Sequence, residues 1–183
     1  MGRRLDALSF RPAVNSLPRP AVLLALMCLA FCVRLAFAHF TPPGQTWSDA
    51  SAYHGIAVNL ISGNGYSVDG LEPTRIRPPA YPAFLAVVYA VSGVRLYAAV
   101  VAQSILGALT CLLACLLGRR LFEDRAGVLA AAVVAVYPAF VYYDTRILRE
   151  GPCAFLVTLA FWHALRIGSH ETRPGSGPLL YGI

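Results

Sequence analysis

The sequence predicts an all-α, polytopic membrane protein with about four transmembrane helices and interfacial helices in its first outer loop. Hydrophobic residues make up 57% of the 183 residues and charged residues only 13%. The mean hydropathy is +0.61, and several apolar stretches approach the roughly 20 residues that one crossing needs. Because soluble domains carry about 25% charged residues, this composition excludes a disordered chain and disfavours a single water-soluble domain.

The formal net charge of +6 comes from arginine, since the chain contains no lysine. The arginines lie in short clusters between apolar runs, which is typical of membrane topology signals rather than of a nucleic-acid surface. We therefore expect no nucleic-acid partner. The five cysteines show neither zinc-ligand spacing nor a disulfide framework, and they predict no redox or metal role.

Four crossings with a cytoplasmic N-terminus place nine arginines in cytoplasmic segments and five in outer ones, as the positive-inside rule favours. Residues 80–94 form a further apolar stretch that is short for a crossing, and we interpret it as interfacial. A fifth span there would put Arg119 and Arg120 outside. The predicted segments are a cytoplasmic N-terminus (1–19), transmembrane helix 1 (20–38), an outer loop with interfacial helices (39–95), transmembrane helix 2 (96–118), a cytoplasmic turn (119–125), transmembrane helix 3 (126–143), an outer turn (144–150), transmembrane helix 4 (151–168), and a cytoplasmic tail or the start of a further helix (169–183).

The first crossing has a competing interpretation as a secretory signal, because Ala36-Phe37-Ala38 resembles a small-x-small cleavage site. A retained helix is favoured, since the segment before the apolar stretch is long and Arg34 falls just before that site. We expect Arg34, near one end of the helix, to extend its guanidinium to the membrane interface.

The outer loop begins with a predicted amphipathic helix. Ser48 and Asp49 are typical of a helix start, and Gly63 suits the left-handed residue that ends a helix. Asp49 at that start also has a plain structural explanation, complementing the helix dipole. Between them, apolar residues follow the 3.6-residue period at Tyr53, Ile56, Ala57, Leu60 and Ile61.

Arg75 and Arg77 lie in a stiff, proline-rich stretch that follows this helix. Three prolines within five residues, Pro78, Pro79 and Pro82, favour an extended backbone. A guanidinium held there suits a phosphate group through bidentate hydrogen bonds. Contact with anionic lipid headgroups explains both arginines equally well.

The second outer turn also presents a carboxylate and arginines beside an apolar helix. Pro152 is suited to the first turn of the last span, so Glu150 is predicted at the N-terminus of that helix. Dipole complementarity alone would account for Glu150. The convergence of two such loops on one side of the membrane favours a site there.

The order of these motifs resembles the opening of GT-C glycosyltransferases. It is most similar to the bacterial relatives of the dolichyl-phosphate-mannose protein mannosyltransferases and of the lipid A aminoarabinose transferases. The resemblance covers nearly the whole chain in family order. Its motifs are Asp49-x-x-x-Tyr53, Gly63-Asn64-Gly65-Tyr66, Pro73-Thr74-x-x-Arg77-Pro78-Pro79-x-Tyr81-Pro82, Arg119-Arg120-Leu121-Phe122, Tyr137-Pro138 and Arg149-Glu150.

The resemblance implies a multi-pass enzyme of the cell (inner) membrane whose active-site loop is periplasmic or extracellular. Such enzymes transfer a sugar from a polyprenyl-phosphate-linked donor, with inversion, to an acceptor hydroxyl on a protein, a lipid or a polysaccharide. Asp49 matches the catalytic aspartate of the first loop and would act as general base. Arg77 matches the residue that contacts the carrier phosphate, and Arg75 is a second candidate for substrate binding.

The remaining candidates follow from the same resemblance. Tyr53 and Tyr81 are expected in the wall of the substrate cavity, and membrane lipid surrounds the site. Glu150 matches the acidic residue of the second outer turn and would either orient the acceptor or hold a divalent metal cation. Ile76 stands where some relatives carry an acidic residue next to the phosphate-binding base, which weakens the case for a metal.

Family members run several times longer than this chain. The chain is therefore expected to be the N-terminal part of such an enzyme or half of a split enzyme, and the first competing class is a truncated non-catalytic membrane module. A transporter is the least favoured class, because the apolar runs reveal no intramembrane charged pair.

Overall fold

The computed structural model describes residues 20–43 and 48–171. The predicted N-terminal segment (1–19) and nearly all of the predicted tail (169–183) lie outside these residues. All regular elements of the described part are helices, as predicted, with one isolated β-bridge between Ser67 and Pro73. The helices are α1 (Pro20–Phe40), α2 (Ser48–Ile61), α3 (Ala80–Ser92), α4 (Leu96–Leu121), α5 (Asp124–Val136), α6 (Pro138–Asp144) and α7 (Glu150–Glu171).

Helix α4 is the centre of the bundle and packs against α1, α5 and α7. It is long and apolar enough to cross a membrane, and so is α1; the bent pair of α5 and α6 would make a third span. Helix α7 has 22 residues and is not among the spans found in the described part of the chain. The predicted count of four spans therefore stays a prediction.

The predicted third span is not one straight helix. It is divided into α5 and α6, which meet at an angle of 53°. Pro138 begins α6 and has no backbone N–H, so it cannot donate the helical hydrogen bond to the carbonyl of Val134. The break is therefore where a proline within a helix predicts it.

The expectation that Arg34 reaches the membrane interface is wrong. Its side chain is fully buried and pairs with Asp144 of α6, with Nε 2.6 Å from Oδ2. Arg34 Nη1 also donates to the carbonyl oxygens of Ala30, at 2.9 Å, and Ala135, at 3.1 Å. Nη2 lies 3.4 Å from the carbonyl oxygen of Val134. The arginine therefore supplies hydrogen bonds to carbonyls that the break at Pro138 leaves without helical donors.

This buried pair also corrects the statement that the apolar runs contain no charged pair. Arg34 and Asp144 are 110 residues apart in the chain, so no local pattern could reveal their contact. Two glycines leave room for it. A Cβ atom on Gly107 would meet the side chains of both partners, and one on Gly151 would meet the carboxylate of Asp144.

Helices α2 and α3 pack against each other in the connection between α1 and α4. Both were predicted, with α2 beginning at Ser48 and ending before Gly63, which has a positive φ of 81°. His54 Nδ1 lies 3.0 Å from the hydroxyl of Tyr89 and ties the two helices together. Burial lowers the pKa of His54. The shared core of this pair is formed by Ala50, Tyr53, Ala57, Tyr81, Leu85 and Tyr89, together with Ala99 and Ile147.

Substitution of Gly127 by alanine is expected to destabilise the bundle by about 1–3 kcal/mol, because it overpacks the contact between α4 and α5. A Cβ atom on Gly127 would lie 2.5 Å from the carbonyl oxygen of Cys115 and would also meet Cγ of Arg119. Thermal unfolding of the purified protein in detergent measures the effect. Leu129→Ala on the exposed face of α5 is the control, and an equal loss in both variants would contradict the prediction.

Candidate functional site

Asp49 and Arg77 form an ion pair at the end of the bundle where α2 begins and the proline-rich stretch precedes α3. Arg77 Nη2 donates to Asp49 Oδ1 although the two residues are 28 positions apart. The side chain of Arg77 is 25% exposed and that of Asp49 is 50% exposed. A molecule outside the bundle can therefore reach both charged groups.

The arginine of the pair lies over the first of two tyrosines that pack edge to face. The guanidinium carbon of Arg77 lies 5.5 Å from the centre of the Tyr53 ring, which is a cation–π distance. Tyr53 in turn meets Tyr81 edge to face, with ring centres 4.9 Å apart and planes at 85°. Both rings are buried. The structure thus brings together four of the predicted site residues, from α2, the proline-rich stretch and α3.

The backbone of Arg77 is held by the segment that follows α2. Gly63 and Gly65 both have positive φ angles, of 81° and 76°, which turn the chain back after the helix. Tyr66 comes next, and its hydroxyl donates to the carbonyl oxygen of Arg77 at 2.8 Å. The backbone N–H of Thr74 donates to the carbonyl oxygen of Tyr66 at 2.9 Å. The motif Gly63-Asn64-Gly65-Tyr66 therefore has a structural task, which is to fix the arginine.

The turn between Tyr66 and the proline-rich stretch is closed by polar side chains. Asp69 Oδ1 accepts the backbone N–H of Leu71 at 3.0 Å, and Asn59 Nδ2 donates to the carbonyl oxygen of Ser67 at 3.0 Å. The backbone N–H groups of Leu71 and Glu72 lower the pKa of Asp69 because they stabilise its charged form. This carboxylate shapes the loop and is not part of the Asp49–Arg77 pair.

Below the tyrosines lies a residue to which sequence reasoning assigned no role. The Tyr81 hydroxyl donates to Gln103 Oε1 of α4 at 2.6 Å, and Gln103 is fully buried. Burial raises the pKa of Tyr81 well above its ordinary value, with smaller contributions from the charges of Tyr89 and Glu150, so the hydroxyl stays a neutral donor. The signal available in the sequence was a lone amide side chain in an apolar run that contains no charged residue.

The two remaining predicted residues lie outside this cluster. Arg75 is exposed. Glu150 is also exposed and begins α7, as predicted, and it borders an apolar pocket with Tyr137, Phe140 and Tyr143. Within residues 20–43 and 48–171, no group of three or more His, Cys, Asp and Glu side chains is placed to hold a metal ion. Glu150 therefore has no partner ligands for a metal ion among the described residues, and its metal role stays a prediction.

A family model described as dolichyl-phosphate-mannose-protein mannosyltransferase matches residues 76–178, which is more than half of the chain. The matched region includes Arg77, Tyr81, Gln103 and Glu150, whereas Asp49 and Tyr53 precede it. No curated protein and no solved structure matches the sequence. The all-helical fold with its long apolar helices agrees with the match. The chain therefore belongs to the dolichyl-phosphate-mannose-protein mannosyltransferase family and is a membrane glycosyltransferase of the GT-C type.

Proposed function

We propose that the Asp49–Arg77 pair is the reaction centre for transfer of a sugar from a polyprenyl-phosphate-linked donor to an acceptor hydroxyl at the outer face of the membrane. The observation that supports this most directly is the pairing itself. A carboxylate that can take the proton of the acceptor hydroxyl pairs with a guanidinium that can bind the donor phosphate. The guanidinium lies over a buried tyrosine ring, and both charged groups remain partly exposed.

Arg77 is suited to bind the phosphate of the donor. Its Nη2 is engaged by Asp49, and within the described part of the chain its buried Nε has no hydrogen-bond partner. The Arg77 side chain is 25% exposed, and a phosphate can bind the exposed part of the guanidinium because arginine presents its donors in a planar fork. A bidentate phosphate would also compete with Asp49 for the arginine and so release the carboxylate.

Asp49 is suited to act as the general base. It accepts the proton of the acceptor hydroxyl while the oxygen forms a bond to the anomeric carbon from the face opposite the phosphate. The bond between the anomeric carbon and the phosphate oxygen breaks, and the carrier phosphate leaves with the electron pair. Arg77 stabilises the negative charge that develops on it. The product keeps the sugar with inverted configuration.

We infer the location of the reaction from the distribution of arginine. The excess of arginine in the N-terminal segment and in the turn between α4 and α5 supports a cytoplasmic position for them, and thus a periplasmic or extracellular position for the pair. A carrier with an isoprenoid tail would lie in the lipid beside the bundle and present its phosphate at this end. We place the protein in the cell (inner) membrane, with a protein, a lipid or a polysaccharide as acceptor.

Substitution of Arg77 by lysine tests the proposal. The lysine keeps the positive charge but loses the fork, so we expect the KM for the polyprenyl-phosphate sugar to rise about tenfold, the cost of one charge-assisted hydrogen bond. The measurement is sugar transfer by the protein in proteoliposomes that contain the donor.

Arg95→Lys is the matched control, since Arg95 is an exposed arginine in the same connection between α1 and α4 and no site role is predicted for it. We expect it to leave the KM unchanged. An equal rise in both variants would indicate contact with lipid headgroups instead of a phosphate site. Absence of transfer by the unaltered protein would favour the non-catalytic membrane module.

A further inference from the structure

Gln103 connects the two loops that carry the candidate site. Its Nε2 donates to the backbone carbonyl oxygen of Asp144 at 3.0 Å and to that of Arg146 at 2.7 Å. Its Oε1 accepts the hydroxyl of Tyr81. The orientation of the amide is determined by these partners, because two carbonyl oxygens require the side that carries hydrogen atoms.

The two sides of Gln103 lead to different parts of the site. On one side, Tyr81 supports Tyr53, over which the guanidinium of Arg77 lies. On the other side, the carbonyls of Asp144 and Arg146 lie at the end of α6 and in the turn that joins it to α7, which begins at Glu150. One fully buried side chain of α4 thus contacts both the tyrosines beneath the Asp49–Arg77 pair and the turn before Glu150.

We propose that Gln103 is a positioning residue that fixes the Asp49–Arg77 pair relative to Glu150. The inference rests on the proposed function, since it assigns Gln103 to that same site. Gln103 is fully buried, and a buried carbonyl that loses its donor is costly. Removal of the amide leaves the two carbonyls and the Tyr81 hydroxyl without their partner, and each loop then relaxes independently of the other.

Hydrogen exchange reads this coupling without an activity assay. The backbone N–H of Thr74 donates to the carbonyl oxygen of Tyr66, and its exchange reports on the first loop. The backbone N–H of Thr145 donates to the carbonyl oxygen of Tyr142, and its exchange reports on the α6–α7 turn. In the full chain in lipid nanodiscs, Gln103→Leu is expected to accelerate exchange at both amides by about tenfold or more, because the first loop loses one hydrogen bond and the α6–α7 turn loses two.

Two milder variants separate the two sides of the residue. Tyr81→Phe removes the hydroxyl and keeps the ring, so it should accelerate exchange at Thr74 only. Gln103→Glu keeps an acceptor for Tyr81 but leaves at least one carbonyl without a donor, so it should accelerate exchange at Thr145 only. These variants also keep the inference testable if Gln103→Leu does not fold.

Ser104→Ala is the matched control. Ser104 is the next residue of α4, it is fully buried, and within the described part of the chain its hydroxyl has no hydrogen-bond partner. We expect exchange at both amides to be unchanged. Equal acceleration at Thr74 and Thr145 by all the variants, or unchanged exchange in Gln103→Leu and Gln103→Glu, would overturn the coupling.

The transfer reaction then distinguishes positioning from stability. Gln103→Leu is expected to lower kcat by about 100-fold in the folded protein, because misplacement of reacting groups by about 1 Å has that effect. A merely structural role would lower the amount of folded protein and leave kcat unchanged, which would contradict the inference. Absence of transfer by the unaltered protein would contradict the proposed function, whereas the exchange data would still decide whether Gln103 couples the loops.

Discussion

Substitution of Asp49 by asparagine is expected to lower the rate of sugar transfer by about 10²–10⁴-fold, the usual contribution of a general base. The amide has nearly the same shape as the carboxylate, and its oxygen can still accept the hydrogen bond of Arg77. It cannot take the proton of the acceptor hydroxyl. We therefore expect kcat to fall while the KM for the polyprenyl-phosphate sugar changes little, which steady-state transfer in proteoliposomes measures.

The matched control is Glu72→Gln, because Glu72 is an exposed carboxylate in the same connection between α1 and α4. It should transfer sugar at the unaltered rate. Both variants should insert into the membrane in equal amounts, since neither change touches an apolar helix. Substantial remaining transfer by Asp49→Asn would remove Asp49 from the role of base, whatever the result with Arg77.

Substitution of Arg34 by leucine is expected to destabilise the bundle by about 3–5 kcal/mol, as the loss of one partner from a buried ion pair does. The carboxylate of Asp144 would remain buried without its counterion. The carbonyls of Val134 and Ala135, which Arg34 supplies with hydrogen bonds at the break before Pro138, would lose these donors. The midpoint of thermal unfolding in detergent measures the loss.

A double-mutant cycle with Asp144→Asn separates the two tasks of Arg34. The double variant has no buried charge, so its loss of stability should be smaller than the sum of the two single losses. It should remain less stable than the unaltered protein, because the carbonyls of α5 still lack their donors. Arg125→Leu, an exposed arginine in the first turn of α5, is the control. Additive losses would show that the pair contributes nothing through its charge.

The arrangement of Arg34 has a simple physical explanation. A proline within a span frees a carbonyl and bends the helix, and the interior of a bilayer offers no water to satisfy it. Arg34 of the neighbouring α1 supplies several hydrogen-bond donors at this break. Asp144, the last residue of α6, balances its charge. The bend then places Asp144 and Arg146 where Gln103 can bind their carbonyls.

Local features of the chain were predictable from the sequence. Apolar runs predicted the positions of α1, α4 and α7, and the 3.6-residue period predicted α2 between Ser48 and Ile61. Turn chemistry predicted the left-handed Gly63. The ordered motifs indicated the family to which the chain belongs. Each of these signals arises from residues within a few turns of one another, where spacing along the chain and spacing in space are nearly the same.

The sequence by itself thus determined the helical class, the family and the candidate residues of the site. Only the tertiary structure decided that Asp49 meets Arg77 over Tyr53, that Arg34 is buried against Asp144, and that Gln103 joins both loops. The physical reason is that these contacts join segments that lie 22 to 110 positions apart in the chain. Their pairing depends on how the helices and the connection between α1 and α4 pack, and no periodicity along a single helix records which polar side chain of another segment it will face.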